Sequence, residues 1–230
     1  MSELLSIIVP VFNEEATVGA VINRLLAIDL PVAREILVVN DGSTDGTRRV
    51  LDALPPAGDT LRLVHAPTNG GKGSAIRTGF EQARGTIVAI QDADLELDPA
   101  ELGKLVAPIL AGESPAVYGS RFMGGSQGAP LATVIANRVL TALTNVLYGA
   151  NLTDMETCYK IMRTDVARGL QLECNRFDIE PEITAKLLRA GHRIVERPVR
   201  FEPRSRAQGK KIGWGDGLQA ISVLLRYRRS

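Results

Sequence analysis

Thr86-Ile87-Val88-Ala89-Ile90-Gln91-Asp92-Ala93-Asp94 decides how this chain is read. A continuous apolar run ends in two carboxylates two positions apart. Such a run is the pattern of a strand covered on both faces. On an extended backbone, residues at i and i+2 point to the same side. The strand therefore brings two oxygen ligands to one spot at its carboxyl end. That suits a Mg²⁺ or Mn²⁺ ion carrying a diphosphate, because such ions take one or two carboxylates plus phosphate oxygens. Taken alone, the same three residues also describe a solvated acidic turn.

Working outward, the chain before this strand alternates apolar runs with amphipathic stretches. Strands are expected at Leu4–Pro10, Glu35–Val39 and Leu61–His65, with helices over about 14–28, 44–54 and 72–83. Asn13 is placed to cap the first helix, with Glu14 and Glu15 in its first turn, and Ser43 or Thr44 to cap the second. Strands alternating with helices imply an α/β fold with a doubly wound, mostly parallel sheet and helices on both faces. Ligands then bind beyond the carboxyl ends of the strands. Polar or glycine-rich segments fall at all four ends: Pro10 to Glu14, Asn40 to Gly46, Asn69 to Ser74, and Asp92 to Asp94. Further on, Ala116–Ser120 reads as a strand leading to Arg121. Gly124-Gly125-Ser126-Gln127-Gly128 reads as a loop and Leu131–Tyr148 as an apolar helix. Asp178–Arg189 reads as a helix, Ile194–Phe201 as extended chain, and Trp214–Arg228 as an amphipathic helix.

The 230 residues suit one good-sized domain; 45% are apolar, 4% aromatic, and the net charge is +1. Two widely spaced cysteines, Cys158 and Cys174, and no signal peptide point to free thiols in a reducing compartment. No apolar run reaches the roughly 18 residues of a membrane-spanning helix. Charge is concentrated at the end of the chain. Arg200, Arg204, Arg206, Lys210, Lys211, Arg226, Arg228 and Arg229 face only Glu202 and Asp216 there. This composition fits an anionic partner or a solubilising tail. It lacks the interleaved aromatics and motifs of a nucleic-acid binder.

The segment Asn69-Gly70-Gly71-Lys72-Gly73-Ser74 is not a nucleotide-binding P-loop: Ala66 replaces the first glycine and Gly73 follows the lysine. Ile76 likewise removes it from the dinucleotide fingerprint. Small residues and Lys72 at a helix N-terminus nonetheless suit a phosphate. Asp41, ending a strand, can accept hydrogen bonds from a base or a ribose.

Together, Ile8-Val9-Pro10-Val11-Phe12-Asn13-Glu14, Val39-Asn40-Asp41-Gly42-Ser43-Thr44-Asp45, Asn69-x-Gly71-Lys72-Gly73-Ser74-Ala75 and Gln91-Asp92-Ala93-Asp94 resemble the family 2 inverting glycosyltransferases of the GT-A fold. Gly119-Ser120-Arg121, Asn137-Arg138, Thr157-Cys158-Tyr159-Lys160 and the pair Arg204 and Lys210-Lys211-Ile212 resemble the polyprenyl-phosphate sugar transferases, such as dolichyl-phosphate mannose and glucose synthases. The resemblance implies a single catalytic domain over 1–230. About 1–95 would bind a nucleotide sugar (GDP-mannose or UDP-glucose), and about 96–230 the acceptor. Pro10, Asn13, Glu14, Asp41 and Lys72 would hold the donor, with Asp92 near ribose and diphosphate and Asp94 the main metal ligand. Glu96 is a further ligand if the backbone stays extended. The metal would neutralise the leaving diphosphate.

Transfer to a hydroxyl needs a carboxylate base. A phosphate monoester, with its second pKa at about 6, arrives ionised and needs positioning instead. Arg121, Arg138, Arg204, Lys210 and Lys211 fit that demand, the last three on an extended, glycine-punctuated loop expected to close over phosphate. A hydroxyl acceptor would draw its base from Asp154, Glu156 or Asp178. A non-catalytic nucleotide-sugar binder is a third reading. The helix Leu131–Tyr148 reads either as buried or as lying at a membrane interface. The stripe Leu218, Ile221, Leu224 and Leu225, followed by arginines, favours peripheral membrane contact from the cytoplasmic side.

Overall fold

The computed structural model describes residues 3–123, 130–203 and 214–229. The glycine-rich loop from Gly124 to Gly128 and the basic residues Arg204, Lys210 and Lys211 lie outside them. Seven strands form one sheet: β1 (Leu4–Val11), β2 (Ala33–Asn40), β3 (Leu61–His65), β4 (Ile87–Ile90), β5 (Ala116–Ser120), β6 (Lys160–Arg163) and β7 (Ile194–Pro198). Their order is β3-β2-β1-β4-β6-β5-β7. β1 pairs in parallel with β2 and β4, β2 with β3, and β5 with β7; β6 runs antiparallel to both neighbours. The described helices are α1 (Val18–Ala27), α2 (Thr47–Asp52), α3 (Lys72–Gln82), α4 (Leu102–Leu110), α5 (Leu131–Tyr148), α6 (Thr164–Gly169), α7 (Ile179–Arg189) and α8 (Trp214–Arg229).

The continuous Ile/Val runs form the central strands because both faces are covered. Leu5, Ile7 and Val9 pack under α1 and α4, while Ile8, Val88 and Ile90 face α3 and α7. α3 approaches β1 closely at Gly79, where a Cβ would stand 2.3 Å from Ile8 Cγ2. Because β6 is antiparallel to both β4 and β5, the ends of β1, β2, β3, β4, β5 and β7 and the start of β6 all meet at one sheet edge.

Several local expectations are corrected. Asn13 adopts φ 53 and does not cap α1, which begins only at Val18. Its side chain instead accepts from Thr44 N at 2.8 Å and so ties the β1 loop to the β2 loop. Neither Ser43 nor Thr44 caps α2: Gly46 is its N-cap, and Asp45 just before it accepts from Thr47 N at 2.9 Å. The antiparallel β6 is absent from the sequence reading, because its first residue, Lys160, is a charged side chain that breaks the apolar pattern.

The helix α5 is not buried all round. Leu140, Thr141 and Thr144 pack inward, while Leu131, Ile135, Val139 and Val146 are exposed. At 18 residues and a mean hydropathy of 1.3, it is long and apolar enough to cross a membrane by length and composition, which the expectation of no such run missed. The α8 stripe divides as well: Leu224 is buried with Ala220, Val223 and Tyr227, while Leu218 and Leu225 are exposed.

Gly79→Ala should destabilise the protein in denaturant unfolding. Overpacking costs about 1–3 kcal/mol, more than the roughly 1 kcal/mol of helix propensity that alanine gains over glycine. Stability at or above the parent's would show that Ile8 moves aside freely.

Candidate active site

The two carboxylates of β4's end do not lie on extended chain. The backbone turns at Ala93 and Asp94, and Leu95 takes φ 63. Glu96 N donates to Asp94 Oδ1 at 3.1 Å. The period-2 geometry that placed Asp92, Asp94 and Glu96 on one side is therefore replaced by a tight turn, which still gathers all three at the sheet edge, each partly exposed. Buried Gln91 clamps this turn through Nε2 bonds to Asp92 O and Leu97 O, at 3.1 and 3.3 Å. Tyr159 Oη sits 2.5 Å from Gln91 Oε1 and 2.8 Å from Asp98 O, bracing it from β6.

Lys72 does not point outward as a phosphate-binding lysine would. Its Nζ lies 2.8 Å from Asp92 Oδ1, 3.1 Å from Glu180 Oε1 and 3.4 Å from Cys158 Sγ. Burial alone would lower its pKa, but the carboxylates of Asp92 and Glu180 outweigh that and hold it well above the usual lysine range. The same Glu180 pairs with fully buried Lys160, Nζ to Oε2 at 2.6 Å. Lys160 also donates to the carbonyls of Met155 and Thr157. Burial, with Asp92 next, pushes the Cys158 thiol up, so it stays protonated. Glu180 and Lys160 were not assigned roles from sequence. Glu180 lies on a helix face that reads as ordinary amphipathic pattern, and only its pairing with two lysines reveals its part.

At the end of β2, Asp41 is buried and accepts from Gly70 N at 2.9 Å and Gly71 N at 2.7 Å. It thereby shapes the loop that leads into α3, leaving its remaining lone pairs for a ligand. Glu14 Oε2 accepts from Thr17 Oγ1 at 2.9 Å, and Pro10 sits within β1 opposite Val39. Pro10, Asn13, Glu14 and Asp41 thus line the ends of β1 and β2, on one side of the Asp92–Asp94 turn.

On the other side, at the end of β5, Arg121 grips Asp154 in a two-pronged pair: Nε to Oδ2 and Nη2 to Oδ1, both at 2.7 Å. Burial opposes the Arg121 charge, but the Asp154 bonds outweigh it and keep the guanidinium protonated. Phe122 lies between two guanidinium groups, Arg121 at 6.0 Å and Arg138 of α5 at 5.7 Å from its ring centre. The predicted pair Arg121 and Arg138 is therefore brought together. The chain after β7 comes back to the same place. Glu202 N donates to Glu96 O at 2.9 Å, which ties this part of the chain to the acidic turn.

Among the described residues, no group of three or more His, Cys, Asp or Glu side chains forms a self-sufficient metal cage. The oxygen-only set Asp92 and Asp94, with Glu96 adjacent, fits a hard divalent ion that draws its other ligands from a diphosphate.

A family model described as "Glycosyl transferase family 2" matches residues 6–170. The chain belongs to glycosyl transferase family 2. It is 30% identical over 206 residues to glycosyltransferase AglD of Haloferax volcanii, a match covering 86% of this chain and 33% of that protein. It is 28% identical over 224 residues to an undecaprenyl-phosphate mannosyltransferase of Micrococcus luteus, covering 94% and 90% of the two chains. The fold matches glucosyl-3-phosphoglycerate synthase of Mycobacterium tuberculosis, solved with Mn²⁺, uridine diphosphate and phosphoglyceric acid. That match has a TM-score of 0.74 and 23% identity, and covers 98% of this chain and 78% of that one. The expected GT-A architecture is therefore present. The chain spans a third to about half the length of the first two curated relatives it matches.

In this family 2 site, Glu180→Ala should leave Lys160 buried without its carboxylate. Removing one partner of a buried pair costs about 3–5 kcal/mol, to be read as a lowered denaturation midpoint. Restoration of most of that loss in the double variant Glu180→Ala/Lys160→Met would confirm that the pair, not the glutamate alone, sets the cost; an unchanged midpoint in Glu180→Ala would refute it.

Proposed function

We propose that this protein transfers a hexose from a nucleotide sugar, GDP-mannose or UDP-glucose, to a polyprenyl phosphate at a membrane surface. The observation that carries this reading is the chemistry on the acceptor side of the acidic turn. Arg121 and Arg138 flank Phe122 there, and the nearest candidate base, Asp154, is fully buried and held by Arg121. Asp178, a second candidate, accepts from Arg176 N and Gln219 Nε2 and is spent on local structure. A cationic pocket beside a sealed carboxylate suits a nucleophile that is already ionised.

In the reaction, a phosphate oxygen of the acceptor attacks the anomeric carbon. The bond from that carbon to the diphosphate breaks, and the nucleoside diphosphate leaves with the electron pair. Pro10, Asn13, Glu14 and Asp41 hold the nucleoside, and Arg121 and Arg138 orient the acceptor phosphate. Arg204, Lys210 and Lys211 supply further phosphate contacts in this reading. Asp92 and Asp94, with Glu96, would hold Mg²⁺ or Mn²⁺, which supplies charge neutralisation for the leaving diphosphate. Lys72 fixes Asp92 in place and offsets its charge before the ion arrives. The Mn²⁺ and uridine diphosphate of the mycobacterial synthase, and the lipid phosphate named for the Micrococcus enzyme, support the same assignment. A hydroxyl acceptor is the second reading. Of its three candidate bases, Glu156 alone retains an oxygen without a hydrogen-bond partner among the described residues.

Peripheral membrane contact follows from the exposed face of α5. Leu131, Ile135, Val139 and Val146 recur at helical spacing and share one side. Leu225 and Leu218 are exposed on α8, which packs on α5 through a bond from Tyr148 Oη to Leu224 O at 2.6 Å. An exposed apolar stripe beside basic residues is the signature of an interfacial helix.

Asp94→Ala should reduce hexose transfer to detergent-dispersed polyprenyl phosphate below about one-hundredth of the parent rate, as loss of charge stabilisation at a leaving group costs about 10²–10³. EDTA should have the same effect on the parent, reversed by Mn²⁺ or Mg²⁺. Unimpaired transfer by Asp94→Ala in EDTA would contradict the assignment.

In liposome flotation, Ile135→Glu/Val139→Glu should weaken vesicle binding by at least about tenfold, since burying one such side chain is worth about 1.5–3 kcal/mol. Undiminished binding would remove the α5 face from the membrane contact.

A further inference from the structure

We propose that Glu156 is a specificity-determining residue of the acceptor site, presenting an uncharged carboxyl that donates a hydrogen bond to the incoming phosphate monoester. The inference rests on the polyprenyl-phosphate reading above and names the group that makes the site choose a phosphate.

Glu156 sits on the segment between α5 and β6, and that segment is held on every side. Asn145 of α5 brackets Leu152, donating from Nδ2 to its carbonyl at 2.9 Å and accepting its N–H at 2.8 Å. Thr141 of α5 accepts from Met155 N at 3.1 Å. Glu196 of β7 accepts from Thr153 N and Asp154 N at 2.7 and 3.0 Å. Thr157 Oγ1 donates to Gly119 O of β5 at 2.6 Å. The position of Glu156 is therefore fixed, yet its own Oε1 is fully shielded and has no hydrogen-bond partner among the described residues. Other atoms of the residue keep partial exposure. A shielded polar atom without a partner is costly and calls for an explanation.

The charges around it supply one. Lys160 of β6, Glu180 of α7, Arg121 at the end of β5, and Asp154 on the same segment are the charges that act on Glu156. Each cation already has its own carboxylate. Arg121 holds Asp154, Lys160 holds Glu180, and Lys72 holds Asp92. An ionised Glu156 would be the unmatched anion of this cluster, whereas a protonated one leaves it balanced. Burial, opposed by Lys160 and reinforced by Glu180, pushes its carboxyl up to about 7. A neutral carboxyl on the segment whose Asp154 holds Arg121 and whose Thr157 reaches Gly119 adds a donor to a phosphate site, and a carboxylate there would repel the ligand.

The linkage has a definite sign. Because the folded protein holds this proton above the ordinary value of 4.5, the group's contribution to stability is full below that pH and is lost as pH rises through about 7. The unfolding midpoint of Glu156→Gln, measured against the parent, should therefore gain steadily between those two values and level off above them. A constant difference across that window overturns the protonation.

Acceptor selection is tested with a short-chain prenyl phosphate, titrated calorimetrically into the parent and into Glu156→Gln from pH 7 to 8.5. The parent's affinity should fall about fivefold from pH 7 to pH 8, following the competent neutral fraction. Glutamine, a permanent uncharged donor, should remove that dependence. Coincident pH profiles overturn the proposal. So does a loss of transfer of about 10²–10⁴ in folded Glu156→Gln, the size expected when a general base is removed. If prenyl phosphate binds as described but receives no hexose, the functional reading fails and the assignment of Glu156 stands. If hexose is transferred and the two profiles coincide, the reverse holds.

Discussion

The ammonium of Lys72 is the contact on which the site is built. Placed at the first residue of α3, it meets Asp92 from the end of β4 and Glu180 from α7. It thereby fastens α3 and the end of β4 to α7 at the point where the acidic turn begins. Glu180 then passes the constraint on to Lys160 at the start of β6. Such a chain of buried pairs is weak evidence for stability in itself, since desolvation offsets much of the attraction. Its effect is to fix geometry: Asp92 cannot swing away, and β6 cannot slip in register without stranding a buried charge.

The antiparallel placement of β6 is the second consequence. A sheet built only from parallel crossovers would send the segment before β6 to the opposite edge. Because β6 runs against β4 and β5, residues 151–159 arrive at the same edge as Asp92 and Arg121. Tyr159 can then brace Gln91, Thr157 can reach Gly119, and Asp154 can lock Arg121. This side of the edge is therefore made from residues distant in sequence.

Much of this was legible before any coordinates. The apolar runs of β1 to β4, covered on both faces, leave little choice but strands, and the bounds of α5 follow from its composition. Asp41, Asp92, Asp94 and Arg121 meet at the expected edge because parallel strands deliver their ends together, and Arg138 of α5 meets Arg121 across Phe122. What could not be read has physical causes. The left-handed Leu95 breaks the extended chain assumed for Glu96, and no propensity announces such a residue. Lys72 looked like a phosphate ligand because its inward partners, Asp92 and Glu180, are distant in sequence. Lys160 hid β6 by placing a charge where a buried strand should be apolar. The exposed face of α5 resembles a core face in every respect except its partner.

The central claim is that the nucleophile is a phosphate oxygen held by arginines, not a hydroxyl activated by a base. It is tested most directly by offering the protein, with donor and Mn²⁺, two acceptors of identical chain length, a prenyl phosphate and the corresponding prenol. Products are then examined by mass spectrometry and ³¹P NMR. The account predicts a hexosyl phosphodiester from the phosphate and no glycoside from the alcohol. A prenyl glycoside from the alcohol, formed as fast as or faster than the phosphodiester, would contradict it.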